Sequence, residues 1–147
     1  MNYGRIAVAA VAATVVDAVY GFLVYGTLLS SQFARFPGVY RSNDVGPAYL
    51  PLMFAGILIA MVAVASIYAK GYEGGAGAAE GIRFGVLFGV FAAAFFAGVN
   101  YATLNIGRRM ALDLAVAGFV EWVLVGAAIG LAYKPSRAAS RKPAVGV

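Results

Sequence analysis

The chain contains no cysteine and no histidine. Without cysteine there is no disulfide, no thiolate metal centre and no cysteine nucleophile. Without histidine there is no imidazole acid–base catalyst and no histidine haem ligand. Charge is also scarce: Asp, Glu, Lys and Arg together make up 12% of 147 residues. Acid–base chemistry falls to Asp, Glu, Tyr, Lys or Arg. The sequence shows no recognisable cofactor motif, so a membrane enzyme ranks last among the functions considered. It also shows no nucleic-acid motif with interleaved aromatics, so nucleic acid is not an expected partner.

Apolar residues are abundant instead. They make up 63% of the chain, and the mean hydropathy is +0.85. A soluble domain is nearer half apolar, and a chain this short could not hide so much apolar surface in one core. The composition points to an all-α integral membrane protein, because helices satisfy their own backbone groups in lipid. Four apolar runs are each near the ~20 residues a spanning helix needs. They cover about 6–29, 49–68, 82–104 and 110–133. The expected fold is a four-helix bundle running up-down-up-down, with a transmembrane domain over 1–134 and a basic tail over 135–147. The first run follows Arg5 like a signal peptide, but it stays apolar to Leu29 and reads as a span.

An even number of spans puts both termini on one side. That side carries Arg5, Lys70, Arg83, Lys134, Arg137, Arg141 and Lys142; the other carries Arg35, Arg41, Arg108 and Arg109. The bias predicts cytoplasmic termini in a bacterial inner membrane. The net charge of +5 sits mostly at segment ends, and the tail is expected to lie on anionic lipid headgroups. Pro135 ends the last helix.

The connections differ in kind. "SSQFARFPGVYRSNDVGPA" (30–48) is the longest, and its Phe33, Phe36 and Tyr40 suit an interfacial loop or, less simply, a binding loop. "KGYEGGAGAAE" (70–80) reads as a flexible turn. "NIGRR" (105–109) is tight, so the third and fourth spans should be antiparallel neighbours. Gly81, Gly85 and Gly89 recur every four residues on the third span, and Gly126 and Gly130 on the fourth. Such spacing lets helix backbones approach closely, either inside the bundle, which is favoured, or across a dimer.

Two acids interrupt the spans. Asp17 is the only charged residue between Arg5 and Arg35. It lies roughly 18 Å in from Arg5 at ~1.5 Å per residue, and Glu121 lies about 20 Å in from Lys134 on the same face. A charge at that depth costs about 2.5–3.5 kcal/mol on insertion scales. With no base at that level, the pair is expected to be protonated, to share a proton or to bind a cation. Each acid alone can also be read as neutral interhelical glue. Tyr20 shares a face with Asp17 and is a candidate hydrogen-bond donor to it. A second polar cluster, "GVNYATLNIGRRMALD" (98–113), reads mostly as helix ends: Asn105 and Gly107 capping the third span, and Asp113 in the first turn of the fourth. Asn100 lies deeper and reads as site-facing or helix-bridging.

Asp17, "NYATL" (100–104) and the Glu121–Trp122 pair together resemble a family of small four-span bacterial membrane proteins known only as a domain of unknown function. In that family an aspartate usually precedes the asparagine; here those positions hold Ala97, Gly98 and Val99. The resemblance implies the four-span topology and draws attention to Asp17, Asn100 and Glu121, but implies no activity.

Two functions fit best. One is a small carrier, acting as a homo-oligomer, with Asp17, Glu121, Tyr20 and Asn100 around a midplane site for protons or cations. The other is an accessory subunit of a larger membrane complex, holding lipid or pigment.

Overall fold

The computed structural model describes residues 2–42 and 44–133. The tail reading, with its basic residues and Pro135, lies outside the described residues. Four helices are long and apolar enough to cross a membrane: Tyr3–Leu28, Gly46–Gly71, Gly77–Thr103 and Arg108–Ala132. The described residues form no strand.

The first span comprises helix α1 (Tyr3–Leu23) and a π-helical turn over Val24–Leu28. A single turn, α2 (Ser30–Phe33), follows. The second span enters through a 3-10 turn, Gly46–Tyr49, into α3 (Leu50–Gly71). The third span is α4 (Gly77–Ala92), a second π-helical turn over Ala93–Ala97, and α5 (Gly98–Thr103). The fourth is α6 (Arg108–Ala132).

The helices run past the apolar windows where polar groups can hold their ends. Asn2 caps α1: its side chain accepts a bond from the Arg5 N–H at 3.2 Å, so the helix starts at Tyr3. At the other polar turn, the Glu80 carboxylate accepts from the backbone N–H groups of Glu73 and Gly75, at 2.8 and 3.0 Å. Glu80 also lies in the first turn of α4, where a negative charge suits the helix dipole. This anchoring gives the 70–80 connection a defined shape and lets α4 begin at Gly77. Gly107 caps the start of α6 rather than the end of the third span. Asp113 sits beyond the first turn and pairs loosely with Arg109 at 4.0 Å.

Neighbouring spans run antiparallel, which puts the start of the first and the end of the fourth at one end of the bundle. The widest seam joins α4 to α6. Here the glycines are used inside one chain. A Cβ added to Gly126 would lie 2.5 Å from the Gly85 Cα, and one on Gly130 would lie 2.7 Å from the Gly81 Cα. Any side chain at these positions would force the helices apart. α6 also packs on α1, and α1 on α3. Small residues again allow the approach: Ala9, Ala10 and Ala13 of α1 are buried with Ile6 against Met61, Val64, Ala65 and Tyr68 of α3 and Val125 and Ile129 of α6. The seam between α3 and α4 is spanned by aromatic rings, with Tyr68 edge-on to Phe84 at 5.3 Å.

The long loop folds back rather than lying free. Phe33, Phe36, Val39 and Tyr40 pack on Ile106, Met110, Ala111 and Leu114, over the connection between the third and fourth spans. Arg41 stacks over the Tyr49 ring at 3.6 Å, where a cation–π contact holds the loop's exit.

Candidate functional site

The small residues that bring α1 and α3 together stop short of mid-span. Buried contacts between them involve residues 6–13 and 61–68. Toward the other end the first span presents Ala18, Gly21 and Gly26, and the side chains of α3 do not fill the space. A cavity of about 600 Å³ results, walled by Phe22 on one side and by Leu50, Met53, Phe54 and Ile57 on the other. Phe22 is 71% exposed, so the cavity reaches the bundle's outer surface. Asp17 and Glu121 both line it.

The two acids face each other. Their carboxyls lie close enough to interact across the α1–α6 seam. The same seam explains the match in depth: the helices run antiparallel, and Tyr20, one turn on from Asp17, meets Ala117, one turn back from Glu121. Among the described residues, no lysine or arginine lines the cavity.

Tyr20 does not bond to Asp17. Its hydroxyl donates to the Ala117 carbonyl at 2.9 Å. Sharing a helix face set its direction but not its partner, which is an acceptor on the next helix. The tyrosine that reaches an acid is Tyr25, whose hydroxyl donates to the Glu121 Oε2 at 2.8 Å. Sequence reasoning missed it because only offsets of three and four from Asp17 were considered. Tyr25 is eight residues on, inside the π-helical turn. The Tyr20 ring packs edge-on against Tyr25, with centroids 6.1 Å apart, and so helps to orient it.

Asn100 lies apart from the main cavity. It lines a smaller pocket of about 210 Å³ between the third and fourth spans, together with Ala97, Gly118, Trp122, Tyr25 and Glu121. Glu121 and Tyr25 therefore border both spaces. Both π-helical turns flank this point, one carrying Tyr25 and the other Ala97. Such turns are rare and frequently mark functional positions. Among the described residues, no group of three or more acids is placed to hold a metal ion.

Chemically, the arrangement provides a paired acid at the inner end of a largely apolar cavity, with a phenol bonded to one member. No known protein family, curated protein or solved structure matches this chain.

Proposed function

We propose that the protein is a small membrane carrier that exchanges protons for a lipophilic cation at the Asp17–Glu121 pair. One observation supports this most directly: two acids meet at the inner end of a cavity lined chiefly by apolar side chains and, among the described residues, by no base. Two carboxyls that interact at this depth resist ionising together, and a net charge in hydrocarbon is costly. The empty pair is neutral, with both acids protonated. A monovalent cation in the cavity replaces one proton, which leaves to water. The other proton stays shared between Asp17 and Glu121. The site is then neutral in both states, so the exchange leaves no uncompensated charge. The Tyr25 hydroxyl supports the ionised Glu121 in the loaded state.

The apolar walls set the ligand class. Phe22, Phe54 and Met53 suit a hydrophobic or aromatic cation reaching the cavity from the bilayer. A small hydrated metal cation would lose its water there and gain few oxygen ligands. The family resemblance fits this reading in that its three residues, Asp17, Asn100 and Glu121, each border one or both of the two spaces. The setting we propose is a bacterial inner membrane with cytoplasmic termini, on the basis of the Lys and Arg bias.

The test is a titration of purified protein in weakly buffered detergent with tetraphenylphosphonium, following heat and released protons together. One proton per cation is expected, with both signals lost in Glu121→Gln. Binding without proton release, or unchanged binding by Glu121→Gln, would overturn the reading.

A further inference from the structure

The exchange raises the question of how the proton leaves while a ligand fills the cavity. The main cavity is a poor route. Away from the acids and Tyr25 it is walled by Ala18, Phe22, Leu50, Met53, Phe54 and Ile57, which offer water no polar partners on the way out. A bound lipophilic cation would also plug it. The smaller pocket is different. It reaches Glu121 from the opposite side of the acid and carries polar groups at both ends: Glu121 and the Tyr25 hydroxyl at the inner end, and Asn100 at the other. Asn100 lies in α5, close to the end of the third span. Its side-chain amide makes no hydrogen bond to the described residues. A space of about 210 Å³ holds several waters at roughly 30 Å³ each, and these side chains offer the polar partners that waters need. Gly118 keeps it open: an added Cβ there would lie 4.0 Å from the Tyr25 hydroxyl, with nothing nearer.

We propose that this second pocket is a hydrated proton route to Glu121, separate from the ligand cavity, with Asn100 at its mouth and Tyr25 in the wall between the two. It rests on the proton-exchange reading above and adds to it a pathway and two residues. On ligand binding the Glu121 O–H bond breaks, and its proton passes to pocket water and out past Asn100. On ligand release a proton returns by the same path. Tyr25 keeps its own proton throughout and holds the wall by its bond to Glu121.

Infrared spectroscopy of the unliganded protein tests this without any ligand. The protonated carboxyl band that disappears in Glu121→Gln is assigned to Glu121, and its shift is timed after transfer into D2O. Asn100→Leu puts an apolar group at the mouth and should slow the shift at least tenfold. Gly118→Val fills the pocket from α6 and should do the same, which covers the case where one variant fails to fold. Ile57→Phe, which fills the ligand cavity, should leave the rate unchanged. Wild-type exchange in whichever of Asn100→Leu and Gly118→Val folds, or slowing only in Ile57→Phe, overturns the separate route. Absence of any carboxyl band that depends on Glu121 instead overturns the proton-exchange reading itself.

Discussion

Tyr20 and Tyr25 differ by five positions, and their hydroxyls donate to acceptors of different kinds. Tyr20 bonds to a backbone carbonyl, whereas Tyr25 bonds to a carboxyl oxygen. The consequences of removing each hydroxyl should differ accordingly. Polar contacts between membrane helices average ~0.6 kcal/mol, so Tyr20→Phe should lower unfolding stability in detergent by less than about 1 kcal/mol. It should leave cation affinity within about twofold, since it touches neither acid. Tyr25→Phe removes a bond to a group that is ionised in the loaded state. Bonds to charged groups contribute about 1.5–3 kcal/mol, so cation affinity should fall roughly tenfold to hundredfold. Calorimetric titration of both variants checks this, and equal losses would show that Tyr25 has no special part. The acids themselves were legible in the sequence, because a fixed rise per residue converts distance from Arg5 and Lys134 into depth. Tyr25 was not, because the helix-face rule assumes uninterrupted α-helix and the chain here turns through a π-helical segment. Nor did the sequence place Asn100 in a second pocket, since that depends on which helix faces which.

At the level of elements, the four spans could be read from hydropathy alone, and the tight link at 105–109 correctly made neighbours of the last two. The glycine repeat identified a close seam but left its partner open. The structure places that seam between α4 and α6. Gly126→Ala should therefore destabilise the monomer itself, by about 1–3 kcal/mol as for other overpacked sites. Gly56→Ala is the matched control: an added Cβ at this position of α3 meets nothing within 4 Å. It should be neutral, or stabilising by up to about 1 kcal/mol through helix propensity. Unfolding of the two variants in mixed micelles compares them directly. If Gly126→Ala changed only oligomer size and left monomer unfolding untouched, the seam would belong to a dimer. The π-helical turns had no sequence mark, since Val24–Leu28 and Ala93–Ala97 read as ordinary apolar helix. The packing of Phe33 and Phe36 onto Ile106 and Met110 was also hidden, because an aromatic loop residue looks the same whether it meets lipid or protein.

At the scale of the whole molecule, the site depends on the helix order α3, α1, α6, α4, which sets the first and last spans side by side. Sequence patterns give each helix its length and its small-residue stripe but say nothing about pairs far apart in the chain. The orientation we propose rests instead on charge, and it can be tested on cells. Gly38 lies exposed in the long loop, with nothing within 4 Å of an added Cβ. Glu73 is exposed in the turn at the opposite end of the bundle. Because the native chain has no cysteine, single introduced thiols report cleanly. Gly38→Cys should react with an impermeant reagent added to intact cells, and Glu73→Cys should react only after lysis. The reverse pattern would invert the orientation and put the span ends nearest Gly26, Leu50 and Asn100 on the cytoplasmic side. The same helix order has a consequence during synthesis. Tyr25 and Glu121 are 96 residues apart. At about 5–20 residues per second, the ribosome needs about 5–20 s to join them. For that interval the first helix has emerged, but the fourth has not. Asp17 then lacks its partner carboxyl, and the nascent chain must hold a lone acid in hydrocarbon, or keep that helix at the insertion machinery, until its last span arrives.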